Sequence, residues 1–325
     1  MQLLKTDPEV APYALRTMTQ VAGAAGNGLG KPQHALLDAA QQVVLETSLE
    51  IEGLAPIEPA AISRHLRDPA QARQLIRMLV MISLAEGPPS PKQFALISSF
   101  AAALGVDEPS VGVIRHLAEG RIRRFRLAFL RRSHIRQYLR NTRRMLGGSW
   151  PTMRALLVAR GVVGENKLLS ERMRALAELP AETLGHQFFQ HCTTEGLAFA
   201  GQKGGFPVGA LFHDFSHVLA GYDTSPEGEL KNAAFQTGFT RHEDAFFTLL
   251  FAIVIHTAGI NLAPFPMPVL LGRIGQGNLA VEVYRAWDRG SAMPVDLGDD
   301  WDFWSFVELP IDEARKRLGI PPLLN

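Results

Sequence analysis

Two histidines four residues apart, His213 and His217, enclose Asp214, and Glu229 follows after eleven further residues. On a helix, positions four apart project from one face, so both imidazoles can reach one ion. Asp214 stands three before His217, close enough on the helical wheel to be a ligand or to orient an imidazole by hydrogen bonding. Imidazole nitrogen combined with carboxylate oxygen suits zinc, and also manganese, iron or cobalt. The pattern departs from the zinc-protease helix, in which a glutamate directly after the first histidine serves as base. Aspartate is one methylene shorter and points to ligation. The expected metal set is therefore His213, Asp214, His217 and Glu229, around Zn2+ or another divalent cation.

The elements needed to assemble this set are legible on either side of it. Gly221 stops the histidine helix, and Ser225-Pro226-Glu227 restarts one, with serine as N-cap and proline at the first position. Glu229 then falls in the first turn of the new helix, and a fold-back would bring its carboxylate to the histidines. Nearby groups have plainer readings. His242-Glu243-Asp244 reads equally as an extra acid–base group or as a charged helix start, His256 as a packed core histidine, and His186 and His191 as surface groups. Cys192 reads as a small buried residue. Phe212, Phe215, Phe235, Phe246, Phe247 and Phe251 are candidates to line an apolar cleft, although core packing explains most of them individually.

Apolar residues recur at helical spacing along the whole chain, and alternating β-branched runs are scarce, so the expected class is all-α. Helices are expected over Gln33–Leu49, around Asp68–Ala85 with Asp68 as N-cap, over Lys92–Leu104, and from Pro109 onward. The 325 residues suit two domains. We expect a helical module over 1–120, a basic amphipathic connector helix over 121–148, and a metal-binding helical domain over 149–325. The connector, Arg121 to Arg144, holds ten arginines interleaved with Ile122, Phe125, Phe129, Ile135, Tyr138 and Leu139 at spacings of three and four. Its bland reading is a solvated basic face. Its sharper reading is adsorption to an anionic membrane surface. No nucleic-acid motif accompanies the charge.

Composition narrows the classes. Apolar residues make up 46% and charged residues 20%, the balance of a folded globular chain. A formal charge of +1 supplies no global field for polyanions. The single cysteine excludes an internal disulfide framework and any cysteine-rich metal site. The stretch 1–10 is charged and has no secretory h-region, and the apolar run Ala245–Ile260 is shorter than a spanning helix needs. The expected location is cytoplasmic, or peripheral on the inner face of the membrane.

His213-Asp214-x-x-His217-x(11)-Glu229 resembles the signature of the coenzyme Q (ubiquinone) biosynthesis protein four family. Leu179-Pro180-Ala181-Glu182-Thr183-Leu184-Gly185 resembles that family's lead-in. Leu309-Pro310-Ile311-x-Glu313-x-Arg315 with Leu318-Gly319-Ile320 resembles its C-terminus, and Trp301-Asp302 with Trp304 is a looser match. The likeness covers about residues 150–325. It implies an all-helical fold holding zinc or another divalent ion through the four residues named. It further implies a prenylated quinone precursor or other isoprenoid lipid as ligand, with decarboxylation or hydroxylation of the ring (lyase-type chemistry). Homo-oligomers or larger biosynthetic complexes belong to the same implication. The alternative is a non-catalytic lipid-binding scaffold that organises other enzymes. A phosphohydrolase reading fares worse, because such enzymes draw further His and Asp ligands from separate helices. The N-terminal half is similar to TerB-like helical domains. Glu86-Gly87 stands where those carry an acidic Asp-Gly turn, and Lys92 and Gln93 replace the following acid. A helical interaction module is the expectation there.

Overall fold

The computed structural model describes residues 1–26, 28–132, 135–262, 269–299 and 301–323. The chain is all-α: among the described residues only isolated bridges occur, Thr183 with Pro310 and Ala258 with Leu271, and no strand. Seven helices come first, α1 (Ala11–Gly23), α2 (Lys31–Ala40), α3 (Pro59–His65), α4 (Pro69–Ser83), α5 (Pro91–Ala103), α6 (Pro109–Ala118) and α7 (Ile122–Leu130). Six follow, α8 (Ile135–Met145), α9 (Ser149–Ala159), α10 (Lys167–Arg174), α11 (Leu184–Thr194), α12 (Phe212–Ala220) and α13 (Pro226–Phe239). The chain ends with α14 (Phe246–His256), α15 (Leu279–Ser291) and α16 (Ile311–Leu318).

These helices form two compact units. The N-terminal unit comprises Gln2–Arg132 and Phe246–Asp288. Its centre is α4, which is buried on nearly every side between α1, α5 and α6. The helix starts where expected: the Asp68 carboxylate accepts from the amides of Ala70 and Gln71 at 2.7 and 2.9 Å, with Pro69 at the first position. Ser90 caps α5 in the same way. One ion pair is buried here, Arg77 Nε to Glu108 Oε2 at 2.8 Å, and Glu108 also caps α6 through Ser110. The predicted helix over 33–49 is shorter than expected. After Ala40 it widens into a π-helical turn, Gln41–Leu45, and ends at Glu46 in the left-handed region (φ 50°).

The domain boundaries differ from the sequence expectation in two places. The basic segment 121–148 forms two helices, α7 and α8, and they belong to different units. The apolar periodicity runs through both, and Arg131–Arg132 form a turn that it does not mark. Residues 246–288 leave the expected 149–325 domain and join the N-terminal unit. The reason lies in α14, which is apolar on all faces and can be satisfied only inside a core. It packs against α4, with Phe246 beneath the Arg77 guanidinium and Phe247 edge-on to Phe129 at 5.4 Å. No described helix is long and apolar enough to cross a membrane.

The second unit comprises Met1, Ser133–Ala245 and Arg289–Asn325, and it contains the histidine motif. Its core is aromatic. Phe215 of α12 stacks on Phe188 of α11 at 3.9 Å, and Phe303 and Trp301 close the other side at 5.0 and 5.5 Å.

Candidate metal centre

The histidine helix is short and held at its C-terminal end. Gly221 adopts φ 76°, which only glycine takes up without strain, and its amide caps the His217 carbonyl at 2.8 Å. The last carbonyls of α12 receive two cations. Arg315 donates to Leu219 O (2.9 Å) and Val218 O (3.3 Å), and Arg289 donates to Ala220 O (2.8 Å). Positive charge at a helix C-terminus is favourable as well as hydrogen-bonded. After the tight turn, Ser225 Oγ accepts from Gly228 N at 3.1 Å and opens α13, as its sequence announces. A Cβ at Gly228 would lie 2.0 Å from Asp223 O, so glycine is what allows this turn to close and aim the next residue, Glu229, at α12.

Three of the four expected residues come together. His217 Nε2 lies 3.4 Å from Glu229 Oε1, and His213 Nε2 lies 3.7 Å from Glu229 Oε2. One donor atom from each of His213, His217 and Glu229 falls within 4.8 Å of both others. Ligands bound to one tetrahedral zinc at ordinary bond lengths sit about 3.4 Å apart, and the two histidine–carboxylate separations lie close to that value. Asp214 is not in this cluster. It is buried beside it, and its charge is felt by Tyr138 and Cys192 as well as by the two histidines. Burial raises the Asp214 carboxyl above the usual carboxylate range, against the pull of His213 and His217.

The protonation pattern of His217 argues for a cation between these groups. Its Nδ1 faces the Tyr222 carbonyl at 3.1 Å, and a carbonyl can only accept, so the ring proton sits there. In the neutral ring, Nε2 is then a bare lone pair. That atom is buried, has no hydrogen bond, and points at a carboxylate oxygen. Two facing acceptors repel unless a proton or a metal ion lies between them. Burial lowers the basicity of His217, but Glu229 and the Tyr222 carbonyl outweigh it and leave the ring readier than usual to hold positive charge at Nε2.

Behind His213 lies a polar network that sequence reasoning missed. Gln236, Ser216 and Asn232 are all fully buried. Gln236 Nε2 donates to His213 Nδ1 and to Ser216 Oγ, both at 2.9 Å, and Ser216 Oγ donates to Asn232 Oδ1 at 2.8 Å. A half-turn of the Gln236 amide, with the Ser216 hydroxyl turning from Asn232 to the new oxygen, would place that oxygen on Nδ1–H and free the His213 Nε2 for an ion. Outer partners of this kind orient ligands and fix their tautomers. A signal for them exists: Glu229, Asn232 and Gln236 recur at +3 and +7, a polar stripe along one side of a helix that is buried over most of its length. Gln236→Ala is expected to weaken divalent-ion affinity about 10- to 100-fold, measured by competition with a chelating dye, and to lower the unfolding temperature of the metal-free protein, because its buried partners lose a hydrogen bond.

His191 is the other correction. It was expected at the surface, but its ring stacks on His217 (centroids 5.7 Å, 20° between planes) and its Nε2 is buried without a hydrogen bond. Burial, His217 and His213 lower its pKa, so it stands neutral beside the cluster. His186 binds Leu179 O through Nδ1 at 2.9 Å, and His242 faces Asp244 at 3.9 Å in a turn. Cys192 is buried, with its thiol pushed up to about 12, as befits an inert packing residue. Among the candidate cleft aromatics, Phe212 lines a cleft of about 440 Å³ with Asn141, Arg172, Trp301 and Trp304. Phe215 and Phe235 are core residues of the same unit, and Phe246 and Phe247 are core residues of the N-terminal unit.

No family model matches this chain, and no curated protein matches it. Among solved structures, the chain is similar to the crystal structure of a Nostoc punctiforme protein described as a ubiquinone biosynthesis protein. The identity is 19%, the match covers 78% of this chain and 99% of that one, and the TM-score is 0.33. At that TM-score the likeness bears no weight, and the metal reading rests on the geometry above.

Proposed function

We propose that this protein binds one divalent cation, zinc or a similar ion, through His213, His217 and Glu229, and presents it to an aromatic acid bearing a prenyl tail. The observation behind the metal is the buried His217 Nε2, aimed without a hydrogen bond at Glu229 Oε1. Three protein ligands with an open side is the arrangement of catalytic rather than structural zinc. The exposure here is uneven in that sense. The His217 side chain is 1% exposed, whereas those of His213 and Glu229 are 27% and 30% exposed. A bound ion would supply Lewis acidity toward a ring carboxylate or phenolate oxygen. The chain's own contribution is to fix both imidazoles, through Tyr222 O and the Gln236 network, and to hold the Glu229 carboxylate against them.

The substrate class is supported by the sequence resemblance and by an aromatic cleft in the same unit, lined by Phe212, Trp301, Phe303 and Trp304. The two arginines at that cleft, Arg144 and Arg172, suit an acidic head group, and Arg172 is stacked on Trp304 at 3.6 Å. Metal analysis of protein purified without chelator tests the proposal, followed by extraction and identification of co-purifying lipid. One equivalent of a divalent ion is expected, together with a prenylated phenolic or carboxylic acid. Protein that takes up no stoichiometric zinc, cobalt or manganese on titration would refute the metal centre. Metal with no lipid and no ring chemistry would refute the substrate class.

A further inference from the structure

Several large apolar side chains of the second unit are turned to solvent on neighbouring segments. Trp150 and Met153 lie on α9, Val162 on the loop after it, Leu168 at the start of α10, and Phe206 in the segment before α12. Their exposures run from 50% at Met153 to 81% at Leu168. The segments are adjacent in space. Gly204 N bonds Ala159 O and Asn166 N bonds Gly201 O, both at 2.8 Å, while Phe206, Pro151, Arg154 and Leu169 line one small cavity. Gly161 (φ 68°) turns the chain directly after α9, so Val162 and Val163 sit at the tip of a reversed loop. Scattered single exposures are ordinary, but several large apolar side chains exposed on adjoining segments point to a binding surface.

The charge around the patch names the partner. Within residues 149–169 and 199–207 the exposed cations are Arg154, Arg160, Lys167 and Lys203, against one carboxylate, Glu165. The adjoining helix α8 adds exposed Arg136, Arg140 and Arg143. We infer that this face docks on an anionic lipid bilayer, with Trp150, Met153, Val162, Leu168 and Phe206 entering the interface and the cations meeting head-group phosphates. A tryptophan at such a boundary buries its ring and keeps its N–H wet. Basic residues near the surface each contribute about 1 kcal/mol of attraction, and apolar insertion supplies the rest. The sequence drew attention to the whole segment 121–144. The structure assigns the role to α8 and α9 with their neighbouring loops, and it does so independently of the metal reading.

Co-sedimentation of the full chain with phosphatidylcholine vesicles, with and without phosphatidylglycerol, tests this. Binding is expected only with the anionic lipid and is expected to fall steeply with salt. The triple variant Trp150→Ser, Leu168→Ser, Phe206→Ser should bind at least about tenfold more weakly, with unchanged helix content, because these side chains are largely exposed and lie outside the core. The charge variant Arg154→Gln, Lys167→Gln, Lys203→Gln should lose binding and its salt dependence together. Equal binding to neutral vesicles would overturn the inference, and so would undiminished binding of the triple variant. Self-association of the wild type that the triple variant abolishes, without vesicle binding, would make the face a protein contact and overturn it as well.

Discussion

Replacing His217 by alanine is expected to lower divalent-ion affinity by more than about a hundredfold, beyond the range typical of outer partners. The histidine is the most buried member of the cluster, and its Nδ1–H is committed to Tyr222 O, so Nε2 is the ring atom turned to Glu229 and to any ion held there. Ions at a hundred times their dissociation constant stabilise a folded site by about 2.7 kcal/mol. The thermal shift that zinc or cobalt gives the wild type should therefore vanish in His217→Ala and nearly vanish in Glu229→Gln. Asp214→Ala is the informative contrast. The carboxylate lies outside the three-atom cluster, so its removal should cost less affinity than either ligand substitution. An equal loss at Asp214 would show that the aspartate enters the coordination shell and that the three-ligand geometry is wrong.

That contrast follows the line between what sequence spacing can and cannot convey. The i,i+4 pair, the Gly221 stop and the Ser225-Pro226 restart are local rules, and α12 and α13 form as those rules dictate. The approach of Glu229 to the histidines needs one more local fact, the tight passage of Gly228 past Asp223 O, which glycine alone permits. Everything beyond that depends on how helices cross. Ser216 meets Asn232 and Gln236 only because α12 lies against α13, and His191 reaches His217 only because α11 lies against α12. Asp214 is set apart from the three-atom cluster for a related reason. Adjacent positions on a helix diverge by about 100°, so a residue next to His213 faces another way unless the site wraps round the helix. The division of the chain was hidden more deeply. Helix α14 is plainly a core segment by composition, but nothing in its sequence says which core receives it.

The largest expected loss of stability lies at Phe215, and it also tests whether the site depends on its seat. The side chain is fully buried, stacked on Phe188 and flanked by Phe303 and Trp301, so it ties α12 to α11 and to the 301–306 segment. Truncating a buried phenylalanine to alanine removes transfer energy and leaves a cavity, about 3–5 kcal/mol together. Phe215→Leu keeps an apolar group in the space and should cost clearly less than the alanine change. Urea unfolding of the metal-free protein, followed by tryptophan emission, reads the difference. Trp301 lies against the altered position, so the unit that holds the site should lose its signal at lower urea. Because His213 and His217 lie two residues to either side of Phe215, Phe215→Ala should also weaken ion binding under conditions where the protein remains folded. A stability loss below about 1 kcal/mol would place the phenylalanine outside a packed core. Unchanged ion affinity alongside the full stability loss would show that the α12–α13 turn alone orders the cluster, without the aromatic layer beneath it.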